Sequence, residues 1–264
     1  DVTTVFQALV ACGWMQASTG VPLRDVQETL AEAALWGRRW SCGDWSLPYT
    51  ALRSLQLLTG RSDASRIAAE LTDGASVGSS EDAVQRANRT FTLIAFYLLD
   101  RHDEAYAECQ GIDALPADTH ASGLLTSEHC LFKGLTLAAL CMRVEGRERA
   151  RLRRRLAQEH ARMRRWAHSG PVNFEHQELL LQAELERSAG RSIAAHYLYS
   201  RARDRADAGG FVHHGAIIRE RHAELCIEVG LVSDSESLLR DAALGFDAWG
   251  AHVKATLLRR RMAE

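Results

Sequence analysis

Apolar residues recur three and four positions apart along most of this chain, as at Leu179 and Ala183 and again at Leu238, Ala242 and Phe246. That spacing places them on one face of an α-helix, and alternating strand patterns are absent. The chain is therefore read as all-α. Helix breakers divide it at regular intervals: Gly20, Gly60, Asp100-Arg101-His102, Gly146, Gly190 and Gly230 fall about every 40 to 46 residues. Each follows one helical pattern and precedes another. The result is six hairpins, over 2–38, 48–72, 81–113, 122–168, 174–208 and 212–248, with a closing helix over 251–263. Ser192 and Ser233 are placed to N-cap second helices, and Asn173 to N-cap the first helix of the fifth hairpin. The four prolines, at 22, 48, 116 and 171, suit loops or first helical turns.

The last third repeats itself. Ala183-Glu184-Leu185 with Gly190 returns forty residues later as Ala223-Glu224-Leu225 with Gly230. Leu198, Ala202 and Gly210 match Leu238, Ala242 and Gly250 at the same offset. A fixed period in this range predicts stacked helical hairpins, held by contacts between neighbours and used to bind other molecules. The expected architecture is a single domain over 1–264, a right-handed superhelix of about six tetratricopeptide-like hairpins with a C-terminal capping helix. Residues 72–80 and 115–120 read as connections.

Composition narrows the field. The chain has 264 residues, 46% hydrophobic, and a net charge of −2. No global field therefore favours nucleic acid or a membrane. No apolar run is long enough to span a bilayer, and no signal peptide opens the chain. Six cysteines are scattered without a CxxC pair, which predicts reduced thiols and a cytoplasmic location. The first residue is Asp1, so a piece of a longer polypeptide is expected. Of 32 basic residues only Lys133 and Lys254 are lysines.

Trp166-Ala167, Pro171-Val172-Asn173-Phe174-Glu175-His176, Ala183-Glu184-Leu185, Tyr199-x-x-Ala202, Ala206, Gly210-Phe211 and Trp249-Gly250-Ala251-x-x-Lys254 follow one another in order. Over about 160–256 this resembles the tetratricopeptide-like superhelical region of very large bacterial multidomain signalling proteins. Gly20-Val21-Pro22-Leu23 and Asn88-Arg89-Thr90 extend the resemblance more thinly. In that family the superhelix follows an AAA-type (STAND) ATPase module, a serine/threonine kinase often precedes it, and GAF and histidine-kinase or diguanylate-cyclase domains often follow. This chain contains no GxxxxGK[ST] loop, so the ATPase module is not within it. Ser233-Asp234-Ser235 departs from the small apolar residues that usually pack this turn of the family.

Candidate chemistry is sparse. His213-His214 and Glu128-His129-Cys130 are adjacent in sequence, but neighbours on a helix point about 100° apart, so no metal and no cofactor is expected. Glu128-His129, Glu159-His160 and Glu175-His176 invite an acid–base reading, but such groups act only where they converge in a pocket, which spacing alone does not show. No nucleophile motif accompanies them, and no enzyme activity is expected. Nine arginines lie between Arg147 and Arg165, including Arg147, Arg151, Arg153, Arg154, Arg155 and Arg162. They read either as a basic surface for an anionic partner or as a solvated helix face opposite Leu152, Leu156, Met163 and Trp166. Trp40 and Trp45 are candidate ligand platforms.

First helices of such hairpins line the concave groove in tetratricopeptide-like stacks, which makes Arg89, Tyr97, His176, Gln177, His213 and Arg219 candidate groove residues. The expected function is a non-catalytic sensor or protein-interaction domain regulating fused ATPase or output domains. Its expected partners are other domains of the parent protein or a protein or peptide ligand, with a small ligand possible and nucleic acid disfavoured. The alternatives are a stand-alone scaffold or an enzyme with an enclosed helical pocket.

Overall fold

The computed structural model describes residues 1–42, 46–60, 82–116 and 123–263. Its elements are α1 (Val2–Thr19), α2 (Leu23–Trp40), α3 (Ser46–Thr59), α4 (Asp82–Leu98), α5 (His102–Asp113), α6 (Gly123–Cys141), α7 (Gly146–Ser169), α8 (Pro171–Ser188), α9 (Ser192–Ala208), α10 (Val212–Glu228), α11 (Val232–Trp249) and α12 (His252–Ala263). No strand occurs among the described residues. Trp45, residues 61–72, the connection over 72–80 and most of that over 115–120 lie outside them. Within residues 1–113 and again within 146–263, helices adjacent in sequence pack against each other, and no helix of the described residues is long and apolar enough to cross a membrane.

The breaks fall where the sequence places them, each with a residue in left-handed backbone: Gly20, Gly60, Asp100, Gly146, Gly190 and Gly230. The geometry is clearest at Gly190 (φ 76°) and Gly230 (φ 81°). There the next residue folds back across the helix end, Arg191 N–H donating to the Glu186 carbonyl (3.0 Å) and Leu231 N–H to that of Cys226 (2.8 Å). This closure needs a positive φ, which a side chain disfavours.

The same closure corrects the expected caps. After each glycine a single residue, Arg191 (φ −90°, ψ 66°) or Leu231 (φ −88°, ψ 69°), serves as N-cap without a side-chain hydrogen bond. Ser192 is therefore the first residue inside α9, and Ser233 the second inside α11. Asn173 is also internal, because Pro171 opens α8 and Gly170 caps it. Asp1 does cap, its carboxylate accepting from Thr3 N–H (2.7 Å) and Thr4 N–H (3.1 Å).

The chain divides into two compact units, Asp1–His129 and Cys130–Glu264. In the first, Gly13 seats Leu30 against α1: a Cβ at Gly13 would stand 2.6 Å from the Leu30 side chain. The Trp36 indole N–H donates to the Val2 carbonyl (3.1 Å), tying the end of α2 to the start of α1. In the second, Gly134 admits Leu181, and Gly245 admits Ala216 where α10 and α11 meet. Ala202 and Ala242, matched by the forty-residue offset, are both fully buried. Ser235 is buried too, its hydroxyl donating to the Val232 carbonyl (2.7 Å), so the polar Ser233-Asp234-Ser235 turn packs without an unsatisfied group at that position.

Candidate functional site

α10 is a polar helix that is almost wholly buried. His213, His214, Glu220, Arg221 and His222 are all enclosed along it. Burying charge costs several kcal/mol per ion unless it is paired, and each charge here is paired. Arg221 reaches Glu184 on α8 (Nε to Oε1, 2.7 Å) and Glu224 on its own helix (2.7 Å). Arg187 on α8 crosses to Glu224 (3.2 Å) and Glu228 (2.6 Å). Glu220 receives Lys254 (2.7 Å) and Arg261 (3.5 Å) from α12. The Tyr199 hydroxyl on α9 donates to Glu184 (2.8 Å).

These contacts form an alternating chain of charge from α8 through α10 to α12. Burial alone would raise the Glu224 carboxyl, but Arg221, Arg187, Arg261 and Lys254 outweigh it and hold the pKa at about 2. Burial, followed by the Glu184 charge, pushes the Tyr199 hydroxyl well up. Glu224 is thus held as an anion by the cations around it, which suits cohesion between helices.

The sequence-adjacent acid–imidazole pairs separate. Glu159 takes Lys133 (3.0 Å) and Arg162 (3.0 Å), while His160 Nε2 meets Glu178 (2.7 Å). Glu175 pairs with Arg205 (3.2 Å) and Arg201 (3.7 Å), while His176 Nε2 lies 2.8 Å from His214 Nδ1. His213 and His214 stay together, their ring centroids 3.8 Å apart, with His213 also beside the Trp249 ring at 5.1 Å. The 100° step between helix neighbours sends the members of these two acid–imidazole pairs, Glu159-His160 and Glu175-His176, to different helices.

Most of the candidate groove residues are enclosed. Tyr97, His176, Gln177 and His213 are buried, at 5%, 1%, 3% and 2% exposure, which takes them out of any open groove. Arg89 pairs with Glu108 (3.0 Å) and lies over Gly111. Arg219 pairs with Asp207 (2.7 Å). Trp40 is half exposed beneath the Arg39 guanidinium.

The arginine helix divides into two roles. Arg149 and Arg153 turn to α8, donating to the Ser188 carbonyl (3.1 Å) and hydroxyl (3.1 Å). Arg162 stays with Glu159, and Arg155 is half-buried. Arg147, Arg151, Arg154 and Arg165 are exposed and fall at helical spacing on one face. Leu152, Leu156 and Met163 occupy the opposite face and are buried. Among the described residues no carboxylate pairs with Arg147, Arg154 or Arg165, and Arg151 meets Glu148 at 3.6 Å.

Two features escaped the sequence reading. At the start of α9 an open depression of 680 Å³ is lined by Gly190, Arg191, Ser192, Ile193, Ala194 and Tyr197. Ile193 and Tyr197 are 91% and 61% exposed there. The second is a cluster of His196 from α9 with His222 and Cys226 from α10. Its sequence signal is the four-residue step from His222 to Cys226, which puts both on one helical face.

No family model, curated protein or solved structure matches this chain.

Proposed function

We propose that this chain is a non-catalytic interaction domain of a bacterial multidomain signalling protein, and that it engages an acidic protein surface through the exposed arginine face of α7. One observation carries the reading. Arg147, Arg151, Arg154 and Arg165 form a stripe about 27 Å long at the helical rise, on a helix with nine arginines against two glutamates, in a chain whose net charge is −2. Like charges so arranged repel one another, and an anionic partner relieves that repulsion most at low salt. The buried acids and imidazoles favour binding over catalysis, since they hold helices together. The signalling context, with occupancy passed to fused ATPase or output domains, is supported by the resemblance over 160–256. Such transmission requires the partner to prefer one arrangement of the hairpins. The same proposal takes the hairpins as turns of a right-handed tetratricopeptide-like superhelix, supported by the direct approach of α8 to α10, one repeat apart.

The test is titration of the chain against the remaining segments of its parent protein, at low and high salt. Arg151→Glu with Arg154→Glu reverses two exposed charges that bond no other helix. The expected result is binding at least tenfold weaker, with an unchanged melting temperature, and a wild-type affinity that falls with salt. Affinity that ignores both the reversal and the salt overturns the proposal, and tighter binding to duplex DNA than to the protein segments replaces it with nucleic-acid recognition.

A further inference from the structure

We propose that His196, His222 and Cys226 form a binding site for a zinc-class divalent cation that pins α9 to α10. The three ligand atoms lie within 4.8 Å of one another. His222 Nε2 stands 2.9 Å from His196 Nδ1, with the rings edge to face at 4.5 Å. In a tetrahedral site with ordinary zinc bond lengths, two imidazole nitrogens lie about 3.3 Å apart and a nitrogen and a thiolate sulfur about 3.6 Å apart. Closing the cluster on an ion thus needs shifts of a few tenths of an ångström between the imidazoles. His196 can supply them, because it is exposed at the edge of α9.

The donor set decides the ion. Two imidazoles and a thiolate suit zinc and disfavour the oxygen-seeking calcium and magnesium. Three protein ligands leave a fourth position, and exposed His196 opens it to water. His222 is fixed from behind, its ring stacked on buried Tyr199 at 5.4 Å. Cys226 lies one helical turn further along α10 and is fully buried. A coordinated cation would displace the proton of the Cys226 thiol to solvent. The Nδ1 of His222 is buried without a hydrogen-bond partner. Binding should therefore be weaker than at sites whose ligating histidines are braced by an acceptor behind them.

The experiment uses the full chain, freed of metal with a chelator, and zinc chloride as the probe. Zinc affinity is measured by competition with a chromophoric chelator. Cobalt(II) substitution is followed for the thiolate-to-metal charge-transfer band. The expected result is one equivalent of zinc, a cobalt–thiolate band, and a rise in melting temperature with zinc. His196→Ala should weaken zinc binding at least tenfold, since losing a bracing partner alone costs 10–100-fold, and should remove the rise in melting temperature that zinc gives the wild type. Cys226→Ser should abolish the charge-transfer band. Absence of the band in wild type, or zinc binding that survives both substitutions, overturns the proposal.

Discussion

Arg221 on α10 grips Glu184 on α8 with Nε at 2.7 Å and Nη2 at 3.2 Å from the two carboxylate oxygens, both side chains almost fully enclosed. Glu184 is the repeat counterpart of Glu224, which Arg221 also holds. One guanidinium therefore joins the same position of two successive hairpins. A forked donor between two planar acceptors fixes register as well as distance.

Removing one partner of this pair should be costly. Glu184→Ala removes the forked acceptor of Arg221, which keeps only Glu224, and leaves the buried Tyr199 hydroxyl without its acceptor, so a loss of about 1–3 kcal/mol is expected. Denaturant unfolding measures it. A double-mutant cycle with Arg221→Ala should show strong coupling, and additive losses would mean that the two residues stabilise the fold independently.

Ala202 is fully buried in α9. Ala202→Leu should overpack its contact and cost about 1–3 kcal/mol. Thermal unfolding reads the change, and an unaltered melting temperature would show room that the packing does not display.

Gly190 and Gly230 carry positive φ, and a Cβ built on either meets nothing within 4 Å. Alanine there should cost about 1–2 kcal/mol through backbone conformation alone. Asparagine, which tolerates this region better, should cost less. Equal losses for both substitutions would place the effect in side-chain contacts instead.

Stability should fall as pH drops below about 6.5. Burial, and next the neighbouring His214, lowers the His176 pKa to about 2, and burial lowers that of His214 to about 3. The unfolded chain takes up protons near pH 6.5 that the folded chain refuses, so the stability is fully present above that pH and is lost below it. The slope is at most about 1.4 kcal/mol per pH unit for each histidine. His176→Gln removes one proton from the balance, so chemical unfolding between pH 5 and 7 should show a shallower slope than wild type.

The sequence by itself determined the helical class, the positions of the breaks and the forty-residue repeat. These are local properties: apolar spacing selects the helix, and glycine permits the left-handed turn that ends it. Asp100 shows that the turn is imposed by the chain path, since a non-glycine residue takes the same backbone there. Tertiary structure decided which polar residues face inward. Nothing in the spacing of α10 separates Arg221, buried between two glutamates, from Arg151, exposed on α7, because a charge can be buried only when its partner arrives from another helix. His196 and Cys226, thirty residues apart in sequence, meet for the same reason: α9 and α10 lie side by side once the turn at Gly210 has reversed the chain.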